Sequence, residues 1–374
     1  MRPISLIIAA DLVPTQSNYD FFATGDVNSL VGSDLHNVLY AADFRVFNLE
    51  VPITDTVKPI SKCGPNLIAP TATINGIKAL NPTLLGLANN HILDQDEQGL
   101  VSTIELLKSY NIDSVGAGKG LNDAAKPYIL EKEGLKIGVY ACAEHEFTIA
   151  TEKRAGANPF DPLVSLDHIA VLKAQCNYVI VLYHGGKEHY RYPSPYLQKV
   201  CRKMAEKGAD IVVCQHSHCI GAKEEYAGAT IVYGQGNFLF DYSESEFWKT
   251  SLLIKVDFAE KMTVEYIPIC KAGVGVRLAK IEEKEKILAD FELRSKQITV
   301  TDFIENEYIE FCKINGEYYL GTLAGFNRIM RGINRLTNGR LTKSIYSEKH
   351  RKALVNLIEC EAHRELVLKT LKAK

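Results

Sequence analysis

The sequence has no surplus of either charge: 43 Lys and Arg stand against 45 Asp and Glu, a formal net charge of −2. That balance gives bulk electrostatics no grip on a nucleic acid or an anionic membrane. No basic run is interleaved with aromatics either, so nucleic acid is not an expected partner. No apolar stretch reaches the roughly 18 residues that would span a bilayer. The N-terminal MRPISLIIAADLVPTQ carries one Arg and a short apolar run broken by Asp11. It lacks the length and cleavage site of a secretory signal, and it reads as a first buried strand. The nine cysteines are odd in number, irregular in spacing and never form a CxxC pair, which argues for reduced thiols in a cytosol. Internal repeats and low-complexity segments are missing too. A cytoplasmic location without a transmembrane segment is the expectation.

What is present is an ordinary globular composition, 46% hydrophobic and 24% charged over 374 residues, long enough for two or three domain-sized units. Short apolar runs recur to about residue 270: ISLIIAA (4–10), RVFNL (45–49), LLGLA (84–88), KIGVYAC (136–142), YVIVLY (178–183) and DIVVC (210–214). They are rich in Val, Ile and Leu without polar alternation, as strands covered on both faces are. Helical patterns lie between them. In EQGLVSTIELLKSY, residues Leu100, Thr103, Ile104 and Leu107 share one face, and the helix is expected to stop near Asn111. SPYLQKVCRKMAEKGAD ends in Lys207-Gly208, a basic last turn followed by Gly. Strands alternating with helices predict a layered α/β core. After about residue 275 the chain turns charged and helical in period, which predicts residues 1–275 as one domain and 276–374 as a mainly helical region. There, NLIECEAHRELVL reads as a helix with Leu357, Ile358, Leu366 and Val367 inward and Glu361, His363, Arg364 and Glu365 on a polar edge.

Open α/β sheets place their sites past the C-terminal ends of the strands. Those ends carry Asp11, Glu50, Asn90 with His91, His184, His216 and His218. One histidine in such a place is more often structural than a ligand. A set of carboxylates, an amide and imidazoles recurring at strand ends is not explained that way. The donors suit borderline divalent ions such as Mn, Fe or Zn. They are too many for one catalytic zinc with an open position, and two ions sharing a carboxylate fit better.

The order of motifs AAD, AADFRVFNLEVPIT, LANNHILDQDEQGLVSTIELLKSYNIDSVGAG, LYHGGKEHYRYPSPYLQKVCRKMAEKGADIVVCQHSHCIG and IVYGQGNFLFD resembles the CapA family of poly-γ-glutamate and capsule synthesis. That family is a branch of the calcineurin-like metallophosphoesterases. The resemblance runs from about Ile4 to Asp241. It implies a sandwich of two mixed β-sheets flanked by helices, with two divalent metal ions at one edge. Asp11 and His218 would hold the first ion, Glu50 would bridge, and Asn90, His184 and His216 would complete the second site. His91 would contact phosphate or act as general acid. Glu188 would be a further catalytic, water-positioning residue, and Lys187 and Arg191 would meet an anionic substrate. Asn237 would orient the His216 loop at the substrate side. Asp26, in a Gly-Asp-Val that looks like the first ligand motif, does not follow the first buried strand, so Asp11 is preferred. Val13 stands where the wider superfamily has a His, and Ser217 replaces a Pro between the paired histidines. The implied activity is hydrolysis of a phosphoester by metal-activated water, on a phosphorylated small molecule or polymer precursor beside the capsule or polymer synthesis machinery. The alternative is a non-hydrolytic metal-binding accessory subunit or scaffold for a polymer synthetase.

Overall fold

A computed structural model describes residues 2–373. From the N-terminus, β1 (Ile4–Val13) leads through helices α1 (Tyr19–Thr24) and α2 (Val27–Ala41) into β2 (Phe44–Leu49). Helix α3 (Ile74–Ala79) precedes β3 (Leu84–Gly86), and α4 (Asp96–Ser109) precedes β4 (Asp113–Val115). Next come β5 (Ala117–Gly118), α5 (Leu121–Ala124), β6 (Tyr128–Lys132), β7 (Leu135–Ala143) and β8 (Gly156–Ala157). Helix α6 (Ser165–Lys173) feeds β9 (Tyr178–His184), and α7 (Pro195–Glu206) feeds β10 (Ile211–Gln215). Strands β11 (Lys223–Tyr226), β12 (Ala229–Val232), β13 (Asn237–Phe240), β14 (Thr250–Phe258), β15 (Met262–Ala272) and β16 (Gly275–Leu278) follow. The remainder is helical: α8 (Ile281–Gln297), α9 (Phe303–Leu323), α10 (Arg328–Leu336), α11 (Arg340–Ile345), α12 (Glu348–Glu359) and α13 (Glu361–Lys372).

Two mixed sheets carry the architecture. One runs β16-β15-β14-β1-β2-β3-β4, with β13 also paired to β1; the other runs β11-β12-β10-β9-β7-β6. In the first, β1 to β4 are parallel and β14 to β16 antiparallel. In the second, β7, β9, β10 and β12 are parallel and the two edge strands antiparallel.

Side chains alternate across a strand, so each central strand feeds two cores. Leu6, Ile8 and Val46 of the first sheet meet Val139, Ile180 and Val213 of the second in the layer between them. Ile7 and Ala9 face the other way, against Leu35 and Leu39 of α2 and Leu100 and Leu107 of α4. On the far side of the second sheet, Val179, Val181 and Val212 pack on Ile169 and Leu172 of α6 and Cys201 and Met204 of α7. This double burial is why the strands read as unbroken apolar runs. The expected sandwich of two mixed sheets flanked by helices is therefore observed. The helix ends follow local chemistry: Asn111 (φ 56°) and Gly208 (φ 107°) take left-handed conformations just past α4 and α7, and Ser194 caps α7 by accepting from the Leu197 amide at 3.1 Å.

The chain divides into two compact units, Met1–Ile304 and Glu305–Lys374. Helix α8, although it lies past the change of texture at residue 275, belongs to the first. Its residues Ile287, Phe291 and Ser295 repeat every fourth position and are buried. Phe291 enters the layer between the sheets and meets the Tyr266 ring at 4.9 Å. The second unit contains only helices among its described residues. In α12 and α13 no residue is buried. Leu357, Ile358 and Leu366, expected to pack inward, are exposed. No helix among the described residues is long and apolar enough to cross a membrane.

Candidate metal centre

Parallel pairing sets the C-terminal ends of several strands level. Asp11 pairs in register with Asn48 on β2 and with Asn237 on β13, and His184 pairs with Gln215 at the end of β10. The side chains just beyond these ends therefore converge on one place. Two groups of donors form there, Glu50 with His184 and His216, and Asp11 with Glu50 and His218. Within each group the ligand atoms lie within 4.8 Å of one another, and Glu50 belongs to both. Asn90 joins the first group, its Oδ1 3.0 Å from His184 Nε2. All six residues expected as metal ligands are thus gathered in one buried cluster.

Three buried amides tie the base of this cluster together. Asn48 Nδ2 donates to Asp11 Oδ1 at 2.7 Å and lies 3.3 Å from His184 Nδ1. Gln235 Nε2 donates to the carbonyls of Ile8 and Leu252, and Gln215 Nε2 to that of Ala9. The loop after β10 folds back sharply, and both of its histidines sit at positive φ, 93° for His216 and 54° for His218. Such a conformation is strained for a non-glycine residue and persists only where the surroundings over-determine it. Here it turns both rings of a His-x-His toward the same cluster, their centroids 6.0 Å apart.

The electrostatics are asymmetric. Burial pushes the His216 pKa down, and the neighbouring His184 and His218 push it further, well below the ordinary imidazole range. Burial also acts against the charged form of His218, yet its pairing with Asp11 (Nδ1–Oδ2 3.4 Å) and the charge of Glu50 lift it to about 9. His184 is raised as well: burial opposes it and Glu50, 3.3 Å away, prevails. Asp11 would be raised by burial, but His218 and His184 hold it below its usual range.

Several buried atoms in the cluster make no hydrogen bond: Asp11 Oδ2, both Glu50 carboxylate oxygens, His216 Nδ1 and Asn237 Nδ2. The His184 and His218 rings offset part of the cost of burying these carboxylates, about 1–3 kcal/mol for each polar atom left without a hydrogen bond, and a divalent cation would answer the rest. The donor set is one that borderline divalent ions accept. The residues present therefore fit divalent metal ions.

The residues expected around the metals are placed unevenly. His91 is buried beside Asn90, and its Nδ1 lies 2.6 Å from Asp94 Oδ2. Asp94 also accepts from the Leu67 amide and pairs with Lys62, whose Nζ is 3.2 Å from the same His91 nitrogen. Glu188 Oε1 stands 3.9 Å from His216 Nε2, and Lys187 is exposed on the same loop. Arg191 is engaged elsewhere: it donates to the Ile220 carbonyl at 3.1 Å, pairs with Glu246 at 3.2 Å and stacks over Phe247. Asn237 Oδ1 accepts from His218 Nδ1 at 2.8 Å, a contact to the loop that also carries His216. Asp26 caps α2 by accepting from the Ser29 amide, and Val13 is a buried residue at the end of β1.

Five contributors escaped sequence reasoning. Asn48 lies inside the NLE motif, and Asp94 stands three residues after His91, so both carried a local signal. Lys62 and Glu146, whose Oε1 is 3.8 Å from His216 Nε2, come from loops with no period to read. The single tryptophan, Trp248, stacks on His218 at 4.7 Å and 29°, with its indole N–H donating to His189 Nε2 at 3.3 Å.

Fold and site together define a layered α/β protein with a buried cluster of side chains that could hold divalent metal ions, Glu50 being common to its two groups. The chain belongs to the family described as bacterial capsule synthesis protein PGA_cap, which matches residues 5–242. It is similar to the PGA biosynthesis protein CapA of Bacillus subtilis (strain 168), 32% identical over 209 residues that cover 54% of this chain and 55% of that one. It is also similar to the capsule biosynthesis protein CapA of Bacillus anthracis, 31% identical over 54% and 51% of the two chains. The chain thus spans about half the length of these curated relatives. Among solved structures, a novel phosphatase from Mycoplasma pneumoniae is similar over 72% of this chain and 94% of that one, at 14% identity and a TM-score of 0.45.

Proposed function

We propose that this protein is a dinuclear metal-dependent phosphoesterase that takes part, in the cytoplasm, in making capsular polysaccharide or poly-γ-glutamate. The observation that carries the reading is Glu50: fully buried, without a hydrogen bond on either oxygen, and common to both donor groups. On this reading Asp11 and His218 hold one ion, Asn90, His184 and His216 the other, and Glu50 both. Manganese, iron or zinc suits these donors. Bound ions supply Lewis acidity toward a phosphoryl oxygen and a water activated at neutral pH. Family membership and the names of the two Bacillus relatives support the biosynthetic role.

The chain's own groups do the rest. Asp94, ion-paired with Lys62, accepts a hydrogen bond from His91 Nδ1–H, which leaves Nε2 to take up a proton from solvent and donate it to a phosphoryl oxygen or the leaving group. Glu188 and Glu146 flank His216 Nε2 at distances a water molecule can bridge. Lys187 adds positive charge beside an incoming anion. Arg191 fixes its own loop. Asn237 orients His218 at the substrate side. On this view the first compact unit, Met1–Ile304, carries the reaction, and Glu305–Lys374 are an addition to it.

The test is elemental analysis of purified wild-type protein and His216→Ala, coupled to aryl-phosphate hydrolysis with added Mn2+. Near two ions per chain, lost with turnover in the variant, is the expected result. Two ions without turnover would instead favour a non-hydrolytic accessory subunit of a polymer synthetase. No metal after reconstitution would refute the reading outright.

A further inference from the structure

Within a chain of near-neutral charge, residues 318–347 hold five basic residues, Arg328, Arg331, Arg335, Arg340 and Lys343, and no Asp or Glu. This segment contains α10 and α11. Along α10, Ile329, Ile333 and Leu336 are spaced four and three residues apart and so share one face. That face is open: the three are 73%, 45% and 86% exposed. The helix is held by its other side. Asn334 is buried and its Oδ1 accepts from the Thr342 amide at 3.0 Å. Arg331 donates to the Phe326 carbonyl and to Thr322 Oγ1, and it stacks over the Tyr318 ring at 4.7 Å. The amphipathicity is thus inverted, with polar groups making the internal contacts and the apolar stripe facing water.

Beside the stripe lies a cavity of about 490 Å³ whose lining includes Arg328, Arg331, Arg335, Tyr318 and Phe326, with Glu317 as its one acidic residue. No carboxylate among the described residues forms an ion pair with Arg328, Arg335, Arg340 or Lys343, all of them exposed. Exposed cations next to an exposed apolar stripe are what an anionic lipid surface engages, headgroup phosphates on the arginines and acyl chains on the stripe. A soluble polyanion would use the charges and leave the stripe in water. We infer that the α10–α11 segment is a peripheral docking face for an anionic membrane.

The test is co-sedimentation of the full chain with phosphatidylglycerol-containing vesicles and with pure phosphatidylcholine vesicles. Binding to the first and not the second is expected, weakening as salt rises. Ile333→Ser with Leu336→Ser should lower the partition coefficient by about tenfold or more. Arg328→Gln with Arg335→Gln should lower it by roughly fivefold for each charge removed. Metal content and melting temperature should stay at wild-type values in both variants, since neither pair is buried. Absent binding, or equal binding to neutral vesicles, would overturn the inference. So would retention of vesicle binding by the serine variant together with arginine-dependent binding of soluble polyglutamate, which would make the face a polyanion site.

Discussion

Loading a divalent ion at the Asp11–His218 end of the cluster should expel a proton and tighten steeply with pH. The imidazole of His218 is held at a pKa of about 9, burial notwithstanding, by Asp11 and Glu50. An ion must therefore displace a proton to use this ring. At about pH 7 only roughly one ring in a hundred is neutral, so the apparent affinity there is about 100-fold below its ceiling and gains about tenfold per pH unit. Above about pH 9 it levels off. The metal-free fold responds in the opposite sense. Because the folded pKa lies above the ordinary 6.5, the ion pair contributes its full stability below about pH 6.5 and loses it as the pH rises through about 9. Calorimetric titration with Mn2+ in two buffers of different ionisation enthalpy counts the protons released. An independent readout is the emission of Trp248, the sole tryptophan, which stacks on the His218 ring. Its pH titration should show a midpoint near 9 without metal and a lower one with it. Affinity independent of pH between 6.5 and 9, with no proton released, would refute the reasoning.

Glu50→Gln should abolish binding of both ions, so that differential scanning calorimetry no longer shows a Mn2+-dependent rise in melting temperature; a rise kept at the wild-type size would take Glu50 out of the ligand set. Asp26→Ala should leave metal content at the wild-type level and lower the melting temperature slightly through the lost cap on α2; loss of metal would return Asp26 to the ligand set. Phe291→Ala should destabilise the first unit by about 3–5 kcal/mol in urea unfolding, because the ring fills the layer between the sheets. A negligible effect would mean that α8 does not belong to that core.

Much of this was legible before any coordinates. Strands β1, β2, β7, β9 and β10 announced themselves because burial on both faces removes polar alternation. Their terminal Asp, Glu, Asn and His residues were legible because parallel pairing obliges the C-terminal ends to gather on one side. The antiparallel strands β14 to β16 were not picked out. Their burial is partial along β15 and β16, and a half-covered strand has no unbroken apolar run. The place of α8 was equally hidden, since a charged sequence with one buried stripe looks like a surface helix until its partner is known.

The sequence by itself determined the layered α/β class and the roster of donors, since both follow from local chemistry: the period of apolar residues, and the few side chains able to bind a divalent ion. Only the tertiary structure decided how those donors are used. Glu50 became common to two groups through the register of β1 and β2, and His218 was raised while His216 was lowered by which carboxylates face each ring. Arg191 was drawn to Glu246, Asn237 to His218, and Lys62 and Trp248 entered from segments far away in the chain. Distances between residues remote in sequence set these outcomes, and no local pattern encodes them.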